Sequence, residues 1–239
     1  GYPLEHSFSK KFFSEKFGSE GLNHQYLNFE MESLSEFKIW KSSFSDLCGL
    51  NVTMPFKTEI IRYLDFTDNL VHKTNSCNTI LIEKDYTFGY NTDIYGFYQS
   101  IKDYNLHKGD IACILGSGGA SKSVQHVFAK LGLKYYIISR RKGHGLLTYD
   151  EIGDSFLQTA KIIVNTTPLG QYPHYIDQTP ELPYKTLTDQ HICVDLVYNP
   201  SKTKFLKICE SYGAEIQNGI TMLEQQAKAS WRIWNSTLY

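Results

Sequence analysis

Residues 111–139 constrain the fold of this chain more than any other segment. Their pattern predicts an apolar strand over Ile111–Leu115, a glycine-rich turn, a helix over Ala120–Leu131 and a second apolar strand over Tyr135–Ser139. A helix that joins two continuous apolar strands is typical of a βαβ unit, in which the strands are parallel and helices cover the sheet. The segment therefore predicts an α/β fold.

The pattern of buried strands continues toward the C-terminus. Two more are predicted at Ile162–Asn165 and Ile192–Asp195, followed by a helix at about Thr203–Tyr212 and a short strand near Ala214–Ile216. The last segment, Thr221 to about Asn235, is predicted to be a helix that packs back on the N-terminal half of the chain.

The first fifty residues also favour helices and strands in alternation. Ser9 is expected to cap a first helix, and Ser33 with Glu36 forms a capping-box pattern ahead of a second helix at Phe37. Between these two helices, His24–Phe29 has the composition of a strand.

The next forty residues repeat that alternation. A strand at Leu47–Thr53 leads through a proline turn to a helix at about Thr58–Leu64. Asn78–Glu83 and Tyr86–Tyr90 then form a predicted β-hairpin that turns at Lys84-Asp85. We therefore expect a second α/β domain in the N-terminal half.

Length and composition fit this division. A chain of 239 residues supports either one large core or two small ones, and we favour two domains, residues 1–93 completed by 219–239, and residues 94–218. A formal net charge of −1 argues against nucleic acid as a partner. No stretch approaches a membrane span and the N-terminus has no export signal, so we expect a cytoplasmic protein.

Cysteine and histidine spacing gives no sign of a metal or a disulfide. The five cysteines are scattered and never form a C-x-x-C pair, and the eight histidines show no H-x-x-x-H spacing. We expect the cysteines to be reduced core residues and the protein to bind no metal.

A candidate nucleotide site lies at the glycine turn Gly116-Ser117-Gly118-Gly119-Ala120. Missing side chains let the backbone approach a pyrophosphate, and the following helix N-terminus supplies amide donors and partial positive charge. The alternative interpretation is an ordinary strand-to-helix turn.

The residues at the end of the next strand indicate which nucleotide the site binds. NAD enzymes usually carry an acidic residue there for the ribose 2′-hydroxyl, whereas this chain has Ser139-Arg140-Arg141-Lys142 and no acid before Asp150. Guanidinium donors suit a 2′-phosphate, so the segment favours NADP over NAD. A solvated basic turn is the other interpretation.

Two polar segments in the N-terminal half suggest a ligand site. Ser7 and Ser9 stand on alternate positions, so both hydroxyls can face one way and donate to a carboxylate, although Ser9 alone reads as a helix cap. Asn51 and Thr53 share one face of a strand, with Lys57 just beyond the proline turn. A lone lysine is more often solvated surface.

A third polar segment closes the hairpin. Asn91-Thr92-Asp93 precedes a predicted helix, and Asp93 either takes part in chemistry or simply caps the helix that begins at Ile94.

Together these segments resemble the shikimate dehydrogenase family. Its motifs G-x-P-[apolar]-x-H-S-x-S, N-V-T-x-P-x-K, N-T-D and a glycine-rich cofactor turn occur here in the family's order. The matching segments are Gly1–Ser9, Asn51–Lys57, Asn91–Asp93 and Gly116–Ala120, and later Asn165–Gly170, Asp195–Pro200 and Gly219–Gln226. The resemblance therefore covers nearly the whole chain.

The resemblance implies an N-terminal α/β substrate domain, a Rossmann-type NADP domain, and reduction of 3-dehydroshikimate to shikimate in aromatic amino acid biosynthesis. It implies that Lys57 and Asp93 form the catalytic pair and that Ser7 and Ser9 hold the substrate carboxylate. The other implied substrate contacts are Asn51, Thr53, Asn78, Tyr198 and Gln226. The implied cofactor contacts are Gly116, Ser117, Gly118, Gly119, Ala120, Ser139, Arg140, Arg141, Thr166 and Gly219.

One departure from the family bears on the cofactor, because Gln171 stands where a methionine often lines the nicotinamide pocket. The alternatives are a quinate/shikimate dehydrogenase that prefers NAD, a methylenetetrahydrofolate dehydrogenase of related fold, and a non-catalytic nucleotide-sensing module. The basic turn argues against the first, the paired serines against the second, and Lys57 with Asp93 against the third. We expect a small-molecule substrate, no nucleic acid or membrane partner, and a monomer or homodimer.

Overall fold

A computed structural model describes residues 1–2, 4 and 7–236 of the chain. Pro3, Glu5 and His6, which belong to the first motif, lie outside the described residues. The chain divides into two compact units. Unit 1 comprises Gly1–Gly96 with Leu223–Tyr239, and unit 2 comprises Phe97–Met222. Both units contain helices and a sheet, so the predicted α/β class is confirmed.

The described part of unit 1 contains a sheet of four strands in the order β1-β3-β4-β2. Their bounds are Gly49–Asn51 (β1), Phe66–Thr67 (β2), Thr79–Glu83 (β3) and Tyr86–Tyr90 (β4). β3 and β4 pair antiparallel around Lys84 and Asp85, whose φ angles of 48° and 71° are those of a left-handed two-residue hairpin turn. The predicted hairpin is confirmed.

Within the described residues of unit 1, four α-helices begin, and the starts of two of them differ from the predicted caps. They are α1 (Phe8–Ser19), α2 (Phe37–Ser42), α3 (Asn69–Thr74) and α4 (Asp93–Ile101). Ser7, not Ser9, caps α1, because Ser7 is extended and accepts from the amide of Lys10 at 3.3 Å, whereas Ser9 is already helical. The capping box was also wrong: Ser33 Oγ accepts from the amide of Ser35, and α2 begins after Glu36 without a side-chain cap.

Two other predictions in unit 1 were wrong. His24–Phe29 belongs to no described strand: the described neighbour of β1 is β3, and Asn28 contacts the Leu4 carbonyl through its side chain. A strand exists only where a neighbouring backbone completes its ladder. The helix expected at Thr58–Leu64 is a 3₁₀ helix over Glu59–Tyr63, the tighter form that is frequent in short connecting segments.

Unit 2 contains a six-stranded parallel sheet in the order β10-β9-β8-β5-β6-β7. The strands are Ile111–Leu115 (β5), Lys134–Ile138 (β6), Leu146–Leu147 (β7), Ala160–Asn165 (β8), Ile192–Asp195 (β9) and Glu215–Gln217 (β10). The chain starts in the middle at β5, winds outward to β7 and returns to β8. Ligands of such sheets bind where the winding reverses, at the carboxyl ends of β5 and β8.

The remaining helices are α5 (Gly119–Leu131), α6 (Asp154–Gln158), α7 (Lys204–Ser211) and α8 (Ile220–Asn235). The predicted helices in the α5, α7 and α8 regions are confirmed. In unit 1, Phe13 and Phe17 of α1 pack on Trp231 and Trp234 of α8, and this aromatic cluster anchors the C-terminal helix. None of the helices in the described part of the chain combines the length and the apolar composition that a membrane span requires.

The cysteines follow the sequence expectation at four positions. Cys77, Cys113, Cys193 and Cys209 are buried and free, whereas Cys48 is exposed, so the expectation of a core residue was wrong there. Cys48 lies in the loop just before β1, and its thiol bonds the Asp46 carbonyl within the same loop.

Candidate functional site

The structure brings Lys57 and Asp93 into direct contact. Lys57 Nζ donates to Asp93 Oδ2 at 2.7 Å, and only 18% of the lysine side chain and 6% of the aspartate side chain are exposed. Asp93 is the first residue of α4, and the amide of Cys77 fixes the Lys57 carbonyl at 2.7 Å. Lys57 is therefore not a solvated surface lysine, and the Asp93 carboxylate accepts side-chain donors.

Asn78 joins this ion pair to the last helix. Its Oδ1 accepts from the amide of Thr92 at 2.7 Å, and its Nδ2 donates to Asp93 Oδ1 at 3.0 Å and to Gln226 Oε1 at 3.2 Å. A backbone amide can only donate, so its position fixes which end of the Asn78 carboxamide is the oxygen. Lys57, Asp93, Asn78 and Gln226 thus belong to one hydrogen-bond network.

Asn51 belongs to the same network through buried hydroxyls. Its Nδ2 donates to Ser230 Oγ at 3.1 Å, and Ser230 Oγ lies 2.7 Å from Thr79 Oγ1 and 3.2 Å from Thr92 Oγ1. All three hydroxyl residues are buried. We did not predict Thr79, Thr92 or Ser230, although Thr92 lies in the N-T-D motif and Ser230 follows Gln226 by one helical turn.

Ser7 and Ser9 are placed differently from the alternating pattern that predicted them. Ser7 caps α1 with an extended backbone, whereas Ser9 lies in the first turn of the helix. The extended backbone that we expected over Ser7–Ser9 therefore ends at Ser7. The Ser9 side chain instead hydrogen-bonds to the hydroxyl of Tyr26, and Tyr26 donates to Asn51 Oδ1 at 2.9 Å.

Several of these residues lie around a cavity of about 780 Å³ in unit 1. Ser7, Ser9, Tyr26, Asn51 and Thr53 all line it, together with apolar side chains. Thr53 lies beyond the end of β1 and is exposed, and within the described part of the chain its side chain makes no hydrogen bond. Lys57 and Asp93 are not among the described residues that line the cavity. The polar network, more than the cavity, defines the candidate site.

Unit 2 carries the glycine turn at the point where its sheet reverses direction. Gly116 has a φ of +107°, and a Cβ there would lie 2.7 Å from Thr166 Oγ1, so only glycine fits. Thr166 is held in place because its amide and hydroxyl both donate to the Leu115 carbonyl, at 2.9 and 2.8 Å. The turn leads into α5, whose cap residue Gly118 provides no side-chain hydrogen bond. Among the predicted cofactor residues of this segment, Ser117 and Gly118 are exposed, and Gly119 and Ala120 are half-buried.

The basic segment lies beside this turn. Ser139 Oγ is 3.5 Å from Ser117 Oγ and accepts from the amide of Arg141 at 3.4 Å. Arg140 and Arg141 are exposed directly after β6. The arrangement offers hydroxyls, the amides at a helix N-terminus and two guanidinium groups within one short stretch of surface, which suits a phosphorylated ribose.

Two further predicted residues follow β9. Tyr198 is half-buried in the segment after this strand. Gly219 is buried, its amide donates to the Val197 carbonyl at 3.1 Å, and a Cβ there would lie 2.1 Å from the Leu196 carbonyl oxygen. The close approach of the Leu196 carbonyl therefore explains why residue 219 is a glycine, whether or not Gly219 also contacts a cofactor.

A buried carboxylate in unit 2 was not predicted as functional. Asp195, at the end of β9, accepts hydrogen bonds from Asn165 Nδ2 at 2.9 Å, the amide of Val197 at 3.0 Å and Thr203 Oγ1 at 2.6 Å. Burial raises the pKa of Asp195 to about 7, although these three hydrogen bonds act in the opposite direction. Asp195 ties together the chain segments that follow β8 and β9, which carry Thr166 and Tyr198.

Comparisons with known proteins agree with the motifs. A family model described as the shikimate dehydrogenase substrate binding domain matches residues 1–80. A shikimate dehydrogenase (NADP(+)) of Clostridium beijerinckii is 34% identical over 246 residues, which cover 98% of this chain and 89% of that protein.

Solved structures give the same result. Shikimate dehydrogenase of Aquifex aeolicus matches with a TM-score of 0.88 at 31% identity, covering 100% of this chain and 91% of the other. Shikimate 5-dehydrogenase of Thermus thermophilus, solved in complex with NADP(H) and shikimate, matches with a TM-score of 0.85 at 28% identity, covering 100% of this chain and 92% of the other.

Proposed function

This chain belongs to the shikimate dehydrogenase family, and we propose that it catalyses the reversible NADP-dependent reduction of 3-dehydroshikimate to shikimate, a step of aromatic amino acid biosynthesis. The observation that carries the proposal is the shielded Lys57–Asp93 ion pair at 2.7 Å. Two charged groups withdrawn from water in this way are characteristic of a functional site. Unit 1 is then the substrate domain and unit 2 the nucleotide domain.

The residues of unit 2 fit NADP. The open space at Gly118 and the amides at the start of α5 suit a pyrophosphate, and the exposed guanidinium groups of Arg140 and Arg141 suit a 2′-phosphate. NADP supplies or accepts the hydride. We assign the phosphate contacts to the glycine turn, Ser139, Arg140, Arg141 and Thr166.

The residues of unit 1 handle the proton and the substrate. The Lys57 ammonium donates to the oxygen that becomes the alcohol or stabilises its developing charge, and Asp93 holds that ammonium in place. Asn51, Asn78 and Gln226 offer amide groups for the ring hydroxyls. Ser9 remains our choice for the carboxylate, with Ser7 restricted by its role as the cap of α1.

Three finer expectations stay predictions. They are the cytoplasmic location, the monomeric or homodimeric state, and the contact of Tyr198 and Gly219 with substrate or nicotinamide.

The deciding experiment is an assay of shikimate oxidation with NADP and NAD in parallel. We expect kcat/KM to favour NADP at least tenfold, or about 1.4 kcal/mol, and Arg140→Ala to remove most of that preference because it removes a 2′-phosphate partner. Lys134→Ala is the matched control, since Lys134 is an exposed cation at the opposite end of β6. Equal use of the two nucleotides would contradict the cofactor assignment, and oxidation of quinate in preference to shikimate would contradict the substrate.

A further inference from the structure

Asn51 is held at both ends of its carboxamide by residues with no assigned role. Tyr26 donates its hydroxyl proton to Asn51 Oδ1 at 2.9 Å, and Asn51 Nδ2 donates to Ser230 Oγ at 3.1 Å. Tyr26 precedes Asn51 by 25 residues and Ser230 follows it by 179. Three distant parts of the chain therefore converge on one side-chain amide.

The partners determine which end of the Asn51 carboxamide is the oxygen. Ser230 donates its own proton to the Gln226 carbonyl at 3.0 Å, so its lone pairs are left to accept from Asn51. The Asn78 carbonyl, which can only accept, also lies on the Nδ2 side at 3.4 Å. A flipped amide would place its oxygen against these acceptors. The nitrogen therefore faces α8 and the oxygen faces Tyr26.

Tyr26 remains a donor over the whole working pH range. Burial raises the pKa of its phenol to about 12, although the hydrogen bond with Ser9 acts to lower it. The same hydroxyl thus connects Ser9, our candidate for the substrate carboxylate, to Asn51, our candidate for a ring hydroxyl.

We propose that Tyr26 and Ser230 are positioning residues that clamp the Asn51 carboxamide in the orientation that binds substrate. The inference rests on the proposed function, since it needs Asn51 to contact substrate. Ser230 and the Asn78 carbonyl accept from the two Nδ2 hydrogens, and Tyr26 occupies one lone pair of Oδ1, which leaves the other lone pair to accept from a substrate hydroxyl. An amide fixed before binding loses less freedom when substrate arrives, so the clamp acts on affinity.

The kinetic test removes one hydroxyl at a time. Tyr26→Phe should raise the KM for shikimate roughly tenfold, the value of one lost hydrogen bond, with kcat within about twofold and the KM for NADP unchanged. Ser230→Ala should raise the same KM at least as much. Its kcat falls as well, because Ser230 also contacts Thr92 beside Asn78.

The decisive step repeats both substitutions in an Asn51→Ala background. If Tyr26 and Ser230 act through Asn51, neither should raise the KM for shikimate by more than about twofold there, because the shared interaction is already gone. A tenfold rise that persists in the Asn51→Ala background would overturn the proposal, as would an unchanged KM in the parent background.

Two control variants separate this effect from a general loss of stability. Ser100→Ala removes another buried helix serine, whose hydroxyl donates to the Phe97 carbonyl at 2.7 Å in unit 2. Tyr184→Phe removes a phenol hydroxyl that donates to the Pro180 carbonyl at 2.6 Å. Both controls should lower the melting temperature without changing the KM for shikimate.

A substrate-free measurement tests the clamp by itself. In the parent, the side-chain amide protons of Asn51 should give two dispersed NMR signals that exchange slowly with water, identified by their loss in Asn51→Ala. Tyr26→Phe and Ser230→Ala should each accelerate this exchange, and unchanged exchange in both would overturn the proposal. A parent that shows the protected amide but no shikimate oxidation would instead contradict the proposed function.

Discussion

Unit 1 and unit 2 each contain a buried aspartate, and the cost of burying its negative charge is offset differently in the two units. Asp93 in unit 1 is 4% exposed and faces the Lys57 ammonium at 2.7 Å. Asp195 in unit 2 is fully buried and receives hydrogen bonds only from neutral groups. A cation compensates the first carboxylate, whereas the second becomes partly protonated near neutral pH because hydrogen bonds alone do not offset its desolvation.

The Lys57–Asp93 pair is arranged to take part in a reaction, whereas the hydrogen bonds of Asp195 hold the structure together. The ion pair holds the Lys57 Nζ donor beside Asp93, where chemistry can use it. The hydrogen bonds to Asp195 join Asn165, Val197 and Thr203, and so hold two loops at the carboxyl ends of neighbouring strands. Substitutions at the two sites should therefore affect different quantities.

The largest effect is expected at the ion pair. Lys57→Ala should lower kcat by roughly 10²–10⁴, because the variant loses both the proton donor and the charge that faces the forming alkoxide, while NADP binding is retained. Asp93→Asn should cause similar damage. The double variant should be little worse than the poorer single one, since the two groups act as one unit.

Steady-state rates at saturating shikimate and NADP measure this effect. Lys185→Ala is the matched control, since it breaks an exposed ion pair with Asp154 at 3.1 Å and should leave kcat unchanged. A Lys57→Ala enzyme that turns over within a factor of about three of the parent would end the catalytic assignment.

A smaller effect, on stability instead of turnover, is expected at Asp195. Asp195→Ala should lower the free energy of unfolding by about 3 kcal/mol at pH 6, because it removes the acceptor of three buried hydrogen bonds. Asp195→Asn keeps an oxygen for Asn165 and Val197 and an amide for Thr203, so it should cost at most about 1 kcal/mol. Urea unfolding provides the measurement, with exposed Asp189→Ala as the control. Equal losses for Ala and Asn at position 195 would show that the hydrogen bonds contribute little.

The smallest and most specific effect is the pH dependence of that same carboxylate. The pKa of Asp195 rises from its ordinary value of 3.8 to about 7 on folding, so between these values the folded chain retains a proton that the unfolded chain releases. This contribution to stability is fully present below about pH 4 and is lost as pH rises through about pH 7. Asparagine does not titrate. The stability of Asp195→Asn relative to the parent should therefore increase by about 1 kcal/mol per pH unit over this window.

Parallel urea titrations of the parent and Asp195→Asn from pH 5 to pH 8 measure the difference. A constant difference would mean that Asp195 titrates normally, and the contrast with Asp93 would then disappear.

The sequence by itself determined the elements whose information is local. The strand–turn–helix of β5 and α5, the hairpin of β3 and β4 and the last helix are set by hydrophobic period, by glycine and by turn residues over a few positions, so they could be predicted closely. It also placed Lys57 and Asp93 among the candidates, because their motifs and order resemble those of a family.

Only the tertiary structure decided which groups meet. Ser7 became the cap where we expected Ser9, since the cap is the residue whose backbone remains extended when the helix forms. His24–Phe29 has a strand's composition but no described neighbouring backbone to complete its ladder. Ser230 reaches Asn51 across 179 residues, and Asp195 is buried by segments that follow two different strands. Contacts between distant positions leave no period in the sequence, so burial and packing alone determine them.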